Sequence, residues 1–208
     1  VDHLLPGGEV PADLLSLIRR HPAGAPPLQP VGMGTPLSDV VLEAPIPQPR
    51  RNIMCVGKNY HAHAQEFTRS GFDSSASAPG DAIPKAPIIF TKASNTVVPT
   101  GAPIPLHPGL DSHVDYEAEL AVVIGVGGRN IRREDAWKHV FDIPCLIETL
   151  SAGITLEPGD IIAPGTPEGV GIGFDPPRYL ADGDEVTIEI EGLGRISNPV
   201  RRAQATVR

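Results

Sequence analysis

Residues 114–125 read VDYEAELAVVIG, and this stretch decides how the fold is interpreted. Two glutamates, Glu117 and Glu119, stand two residues apart and lead directly into an apolar run. Side chains alternate between the faces of a β-strand, so both carboxylates are predicted to project from one face. Like charges held there repel each other unless a cation lies between them or one takes up a proton. A divalent cation with oxygen ligands relieves the repulsion most simply, whereas solvation at a strand end is the commoner outcome for an isolated pair.

Length and composition indicate one sizeable core. The chain has 208 residues, of which 40% are hydrophobic and 20% are charged, as is usual for a globular protein. Its 24 prolines are about twice the usual share, which favours loops and short strands over long helices. The sequence shows no apolar run long enough to span a membrane and no signal-peptide pattern, so a cytoplasmic location is expected.

The charge balance excludes one class of partner. A formal net charge of −8 argues against non-specific nucleic-acid binding, which needs a basic face. An acidic protein can still bind an anionic substrate, because a bound divalent cation reverses the local field. Cys55 and Cys145 each lie in an apolar stretch without metal-binding spacing, so both thiols are predicted to be reduced and buried.

The pattern along the chain predicts a small N-terminal lobe at residues 1–50 and a main domain at 51–208. The lobe is expected to hold a helix at about 11–20, with an apolar stripe. A proline-rich segment follows, with a short strand at Val40 to Leu42. Residues 68–85 are rich in Ser, Gly, Ala and Pro, which predicts a mobile surface loop of the kind that often forms a lid.

The main domain is predicted to be β-rich with short helices. Three apolar runs predict buried strands: NIMCVG (52–57), PIIFTK (87–92) and AELAVVIG (118–125). Short helices are predicted near 61–66, at 133–139 and at 143–153, the last one ending at Gly153. Short strands separated by Gly and Asp turns are predicted for the C-terminal third.

The stretch GKNYHAHAQE (57–66) contains a candidate general base. His63 and Glu66 lie three residues apart on a helical turn, where a carboxylate can hold one imidazole nitrogen and leave the other to accept a proton. The alternative is an ordinary polar pair on an exposed helix. His61 is close in sequence but would face elsewhere on a helix.

The stretch GTPEGVGIG (165–173) predicts a loop whose backbone comes close to a ligand. It lacks the Gly-Lys-Ser/Thr ending of a nucleotide-binding loop. The interpretation favoured here is that its amides and the Thr166 hydroxyl approach a small anion, because glycine removes side-chain bulk. A plain turn is the alternative. The absence of G-x-S-x-G and H-E-x-x-H patterns disfavours serine hydrolases and zincins.

From about Arg51 to its C-terminus the chain resembles the fumarylacetoacetate hydrolase family. The resemblance rests on five stretches in family order: GKNYHAHAQE, PIIFTKAS, VDYEAELAVVIG, LEPGDIIAPGTPEGVGIG and YLADGDEVTIEIEGLGRISNPV. It implies an α+β, β-rich fold with a mixed β-roll core, short helices and assembly as a homodimer. It also implies Mg²⁺ or Mn²⁺, with Ca²⁺ as a further choice, and a small anionic 2-oxo acid as substrate, in a family tied to aromatic catabolism.

The resemblance assigns roles to individual residues. Glu117 and Glu119 correspond to the metal ligands of the family, and His63 with Glu66 to its water-activating pair on a closing lid. Substrate contacts are implied for Thr166, Gly165 and Lys92. Lys92 matches the lysine of an F-x-K stretch, for which a purely structural role is the alternative.

One departure from the family lies near Phe141 and Asp142. At this point the resemblance implies a further segment that carries a third acidic metal ligand and, later, a catalytic lysine. Either the protein lacks this segment or the printed sequence omits it, and the family character of both flanks favours omission. Asp115 shares the strand parity of the two glutamates and is a weaker candidate for the third ligand.

Three functions follow from these expectations. The preferred one is a metal-dependent hydrolase that cleaves a C–C bond in an acylpyruvate or fumarylpyruvate type of acid, with the pyruvate enolate stabilised by the metal. The first alternative is a decarboxylase, isomerase or sugar-acid dehydratase that works through a similar enolate. The second alternative is a non-catalytic family member that binds a small acid.

Overall fold

The elements of the fold are short. The computed structural model describes residues 3–4, 12–22, 29–30, 34–71, 73, 82–109, 112–139 and 144–203. Within them the helices are α1 (Leu14–Arg20), α2 (His61–Arg69) and α3 (Pro144–Gly153). The strands are β1 (His3–Leu4), β2 (Gln29–Pro30), β3 (Ile53–Gly57), β4 (Ile88–Lys92), β5 (Ile104–Leu106), β6 (Val122–Val123), β7 (Ile161–Ala163), β8 (Glu185–Ile190) and β9 (Gly194–Arg202). Mixed sheets with few helices confirm the α+β, β-rich prediction, and no described helix is long and apolar enough to cross a membrane.

The first helix starts where the sequence provides a cap. Asp13 accepts a hydrogen bond from the Ser16 N–H at 2.5 Å, and the Ser16 hydroxyl accepts one from the Asp13 N–H at 3.2 Å. This reciprocal arrangement satisfies two backbone donors that the helix itself cannot. The predicted helix is therefore confirmed from Leu14 onward, and residue 11 lies outside the described residues.

The chain divides into two compact units. The first comprises residues 1–55, 90–97 and 121–163, and the second comprises residues 56–89, 98–120 and 164–208. The first unit holds the two-stranded antiparallel sheet of β1 and β2 and most of a four-stranded sheet, and the second unit holds a three-stranded sheet. The predicted boundary at residue 50 stays a prediction.

The first unit holds most of a four-stranded sheet of order β4-β3-β7-β6. β3 pairs with β7 in parallel, with Met54 opposite Ile162, and β6 pairs with β7 antiparallel. The buried strand predicted at 52–57 is confirmed, because Met54, Cys55 and Val56 are all buried. One apolar cluster joins this sheet to α3 and its neighbours: Met54, Val122, Ile124, Ile131, Ala136, Ile147, Leu150, Leu156 and Ile162.

The second unit holds a three-stranded sheet of order β5-β9-β8. β8 and β9 form a hairpin whose register runs from Glu185 opposite Pro199 to Ile190 opposite Gly194. Exposed and half-buried residues alternate along β8, as the period of a strand with one apolar face requires. This hairpin confirms the β-rich character predicted for the C-terminal third.

Three of the predicted strands differ from the structure. Val40 to Leu42 form no strand, and Val41 is 87% exposed. The strand at 87–92 exists as β4, but all five of its residues are exposed because it lies at the edge of its sheet. In the stretch 118–125 only Val122 and Val123 form a ladder. Ala118 and Glu119, which precede them, are hydrogen-bonded to Thr166 and Gly165.

Candidate functional site

The segment that carries the two glutamates runs alongside the glycine loop, residues 165–173. Asp115 lies beside Gly171, Ala118 beside Thr166 and Glu119 beside Gly165, each joined by a hydrogen bond. Residue numbers rise from 115 to 119 along one segment while those of their partners fall from 171 to 165, so the two segments run antiparallel. Each of these three hydrogen bonds uses a side chain on one of the two segments. Side-chain partners of this kind take the place of a backbone ladder, which explains why residues 114–121 are not a regular strand.

The amides of the glycine loop donate to carboxylates of the chain itself. The Gly165 N–H donates to Glu119 Oε2 at 2.6 Å, and the Gly169 N–H donates to Glu66 Oε1 at 3.1 Å. Asp115 accepts from both the Gly171 and the Ile172 N–H at 2.7 Å. Hydrogen bonds from backbone N–H groups to ionised oxygens are among the stronger ones in proteins. The loop therefore orients three acidic side chains at once.

Glycine is required in this loop for two different reasons. Gly165 and Gly169 have φ values of +106° and +104°, a region that other residues rarely adopt. Gly173 has no such conformation, but a Cβ at this position would overlap the carboxylate of Glu66. The glycine density noted in the sequence thus reflects the close approach of Glu66 as well as tight turning.

The predicted general-base pair is assembled and buried. His63 Nδ1 lies 3.3 Å from Glu66 Oε2, and each residue is 7% exposed. Both project from α2, whose remaining buried residue is Ala64. The exposed polar pair that was the alternative interpretation is not what the structure shows. Glu66 is held from two sides, by His63 and by the Gly169 N–H.

A second polar cluster joins Lys58, which precedes α2, to Thr68 and Asp73 near its C-terminal end. This cluster was not predicted from the sequence. Lys58 Nζ donates to Asp73 Oδ2 at 2.5 Å, and the Thr68 hydroxyl donates to the same oxygen at 2.6 Å. The Lys58 and Asp73 side chains are 6% and 2% exposed. Lys58 also has a positive φ of 54°, which is uncommon outside glycine. Only the lysine directly after Gly57 hinted at this cluster, because its partner lies in the loop predicted at 68–85.

The other predicted site residues are distributed as follows. Thr166 is 2% exposed, and its Oγ accepts from the Ala118 N–H at 3.2 Å. Lys92 ends β4 and belongs to the first unit, whereas the other predicted site residues belong to the second. Residues 141–142, where the departure from the family was predicted, lie outside the described residues. Substrate contacts by Thr166, Gly165 and Lys92 stay predictions.

The described part of the chain does not assemble a complete set of ligands for a divalent cation. Among the described residues no group of three or more His, Cys, Asp or Glu side chains is arranged to hold a metal ion. Asp115 is committed to three backbone N–H groups, those of Tyr116, Gly171 and Ile172, which disfavours it as the third ligand. Metal binding by Glu117 and Glu119 stays a prediction.

A β-rich fold, a buried histidine–glutamate pair and a glycine loop that holds Glu66, Asp115 and Glu119 characterise this protein. The model of the fumarylacetoacetate (FAA) hydrolase C-terminal family matches residues 52–143 and 138–201. The chain belongs to this family, as the resemblance implied.

Relatives and solved structures agree with this assignment. The chain is 36% identical to the oxaloacetate tautomerase YisK of Bacillus subtilis, over 79% of this chain and 74% of that protein. The structure is similar to a fumarylacetoacetate hydrolase from Exiguobacterium antarcticum, with a TM-score of 0.68, 26% identity and coverage of 97% and 99%. It is also similar to a 5-carboxymethyl-2-hydroxymuconate delta-isomerase from Mycobacterium smegmatis, with a TM-score of 0.64, 27% identity and coverage of 84% and 87%.

The alignment with YisK is longer than this chain, with 233 positions against 208 residues. It extends over 233 positions and includes 79% of the 208 residues, about 164, which leaves about 69 positions without a counterpart here. The two stretches that match the family model meet at residues 138–143. Both observations agree with an interruption near Phe141 and Asp142, which stays a prediction.

Proposed function

We propose that this protein is a 2-oxo-acid tautomerase or isomerase, which moves a proton between oxygen and carbon and leaves the carbon skeleton intact. The observation that carries the proposal is the buried His63–Glu66 pair held on Gly169. The similarity to an oxaloacetate tautomerase supports oxaloacetate as the first substrate to test.

The geometry of the pair suits proton transfer. Nδ1 of His63 faces the Glu66 carboxylate, so its N–H donates to that acceptor and Nε2 keeps a lone pair. In the ketonisation of an enol, Nε2 accepts the proton of the enol oxygen at C2. The imidazolium then delivers a proton to C3, which completes the transfer with no net change in the enzyme. The burial of both side chains strengthens their interaction, because water is excluded.

Thr166 is the residue best suited to orient the substrate in this reaction. Its Oγ accepts from the Ala118 N–H, so its hydroxyl hydrogen is the part that can donate to a carboxylate or carbonyl oxygen. The side chain is buried, and its neighbour Gly165 is fixed by Glu119. A donor fixed in this way costs little reorganisation when substrate binds.

A divalent cation would be held by Glu117 and Glu119, and when bound it would supply a Lewis acid for the 2-oxo oxygen. The described residues offer only these two carboxylates for it. The proton transfer itself is carried out by His63 and Glu66, with Thr166 orienting the acid.

A C–C hydrolase is the second candidate, and the similarity to a fumarylacetoacetate hydrolase structure supports it. The same histidine could activate water. Cleavage also requires that the departing enolate be stabilised, and in the predicted mechanism this is the task of a complete metal site. The tautomerase or isomerase is preferred because a relative that is 36% identical to this chain is an oxaloacetate tautomerase.

Proton NMR in D₂O separates the two reactions. A tautomerase speeds the exchange of the C3 hydrogens of oxaloacetate and leaves acetylpyruvate uncleaved, whereas a hydrolase converts acetylpyruvate into acetate and pyruvate. We expect His63→Asn to slow exchange by about 10²–10⁴-fold, the usual contribution of a general base. His61→Asn is the matched control, because His61 is exposed on the same helix. Exchange by the wild type that is no faster than by the His63 variant would contradict the proposal.

A further inference from the structure

A buried ion pair spans the helix that carries the base pair. Lys58 lies before α2 and Asp73 lies after it, and Lys58 Nζ is 2.5 Å from Asp73 Oδ2. The hydroxyl of Thr68, in the last turn of α2, donates to the same oxygen at 2.6 Å. The ion pair therefore joins the chain at one end of the helix to the chain at the other end.

Both partners of this ion pair hold positions that cost free energy on folding. Their side chains are 6% and 2% exposed, and charges leave water only at a penalty that close pairing must offset. Lys58 has in addition a φ of 54°, where the Cβ of an L-residue crowds the following carbonyl oxygen. Such positions persist where the surrounding structure fixes them, and they concentrate at functional sites. The proton transfer described above uses neither residue.

The segment before α2 is also attached to the glycine loop. Asn59 Nδ2 donates to the carbonyl oxygen of Pro164 at 2.9 Å. A Cβ placed on Gly165 would lie 3.4 Å from the Cβ of Asn59, so loop and segment are in close contact. The start of the helix is thus held in two directions, by Asn59 toward the glycine loop and by Lys58 toward Asp73.

The geometry of the base pair depends on how α2 is placed. Glu66 Oε1 accepts from the Gly169 N–H at 3.1 Å, and Glu66 Oε2 lies 3.3 Å from His63 Nδ1. Both distances are near the long end of the hydrogen-bond range, so a small shift or rotation of the helix breaks these contacts. The bond to Gly169 holds the middle of the helix, and the ion pair holds its two ends.

We propose that the Lys58–Asp73 ion pair positions α2 so that Glu66 can orient the His63 imidazole. The proposal deepens the proposed function, and its kinetic test rests on that function. Lys58 and Asp73 are positioning residues, because they act through Glu66 and His63 and take no part in the transfer of the proton. Loss of the ion pair should therefore slow proton transfer and leave substrate binding unaltered.

Proton exchange at C3 of oxaloacetate is measured for Lys58→Met, alone and combined with His63→Asn. A catalytic group displaced by about 1 Å loses up to about 10²-fold in rate, so Lys58→Met should lower kcat by about 10- to 100-fold and change KM by less than about twofold. In the His63→Asn background the same substitution should change the rate by less than about twofold, because the group through which it acts is gone. A merely structural pair would lower both rates by the same factor, since it would act on the folded fraction.

The ¹⁵N chemical shifts of the His63 imidazole test the same point without turnover. The spectrum of His63→Asn identifies the signals of His63 by their absence. In the wild type the proton should reside on Nδ1, which faces Glu66, and Lys58→Met should give a mixture of the two tautomers. Asp73→Asn keeps the shape of the side chain and removes its charge, so it should produce a smaller change of the same kind. It replaces Lys58→Met if that variant fails to fold by circular dichroism.

Arg51→Met is the matched control for the loss of an ion pair. Arg51 Nη1 lies 3.0 Å from Asp160 Oδ2, and the Asp160 side chain is 4% exposed, so this pair also contains a buried carboxylate. Both residues belong to the first unit, whereas α2 belongs to the second. Arg51→Met should lower the melting temperature and leave both the exchange rate and the His63 signals unaltered.

The outcomes separate this inference from the proposed function. Altered His63 shifts in Lys58→Met, with no exchange in the wild type, would keep the positioning role and remove the tautomerase. Exchange in the wild type, with unaltered His63 shifts and full kcat in folded Lys58→Met, would overturn the positioning role and keep the tautomerase. Equal losses of rate in the wild-type and His63→Asn backgrounds, or equal effects of Lys58→Met and Arg51→Met, would also overturn it.

Discussion

Replacing Gly173 by alanine tests whether the buried position of Glu66 is what makes His63 a base. The added Cβ would overlap the Glu66 carboxylate, while the backbone at Gly173 needs no positive φ. The carboxylate must therefore move, and it then loses the Gly169 N–H at 3.1 Å and the approach to His63 Nδ1 at 3.3 Å. The substitution acts on the pair without altering either member.

Two magnitudes follow from these lost contacts. A hydrogen bond to a charged group contributes about 1.5–3 kcal/mol, and part of this is regained if the carboxylate reaches water. We expect the free energy of unfolding to fall by about 2 kcal/mol. The imidazole loses its oriented tautomer, so proton exchange at C3 of oxaloacetate should slow by about 10²-fold or more.

Urea unfolding and NMR exchange rates measure the two effects on the same samples. Gly153→Ala is the matched control, because nothing lies within 4 Å of a Cβ placed there and Gly153 ends α3. It should change stability by less than about 0.5 kcal/mol and leave exchange unaltered. Full exchange activity in a folded Gly173→Ala protein would refute the reasoning, since Glu66 would then be dispensable in its buried place.

The remaining predictions concern the other carboxylates. Mn²⁺ should bind weakly in calorimetry, and Glu117→Gln with Glu119→Gln should weaken it by about tenfold or more; unchanged binding would exclude the pair as ligands. Asp115→Asn should lower the free energy of urea unfolding by about 2–4 kcal/mol, because an amide oxygen replaces a carboxylate that accepts three N–H groups; a loss below about 0.5 kcal/mol would contradict this. The hydrogen bond from Lys138 lowers the pKa of Asp135 in the folded protein. Ionised Asp135 therefore stabilises the folded state at pH values above its unfolded-state pKa, and this stabilisation is lost as the pH falls through its folded-state pKa. Wild type and Asp135→Asn should accordingly differ in melting temperature near neutral pH and converge in acid, and a constant difference would argue against the ion pair.

Strands with apolar side chains on both faces were predictable, and edge strands were not. NIMCVG is buried as β3 because a central strand is covered on both sides. PIIFTK is similarly apolar, yet as β4 it lies at a sheet edge and is exposed. Local sequence does not contain the identity of the neighbouring strand, which decides burial. The same lack of a partner accounts for the strand wrongly predicted at Val40 to Leu42.

In the candidate site, contacts between residues close in sequence were predictable and contacts between residues distant in sequence were not. The spacing of His63 and Glu66 was enough to predict the pair, because three residues on a helix bring side chains together. The bonds from Asp115 to Gly171 and Ile172 join residues more than 50 positions apart, and no local pattern encodes them. Lys58 and Asp73 were missed for the same reason, because the pairing of a buried charge depends on tertiary packing.

Gly169 connects the acid of the helix with the segment of the two glutamates. Its N–H donates to Glu66, and its carbonyl oxygen lies 3.4 Å from the Tyr116 hydroxyl. Tyr116 stands between Asp115 and Glu117. A shift of the loop at Gly169 would therefore disturb both the His63–Glu66 pair and the segment of residues 115–119. We therefore expect substitutions at Gly169 to alter proton exchange and the binding of Mn²⁺ in parallel, whereas Gly173→Ala should alter exchange and leave Mn²⁺ binding unchanged.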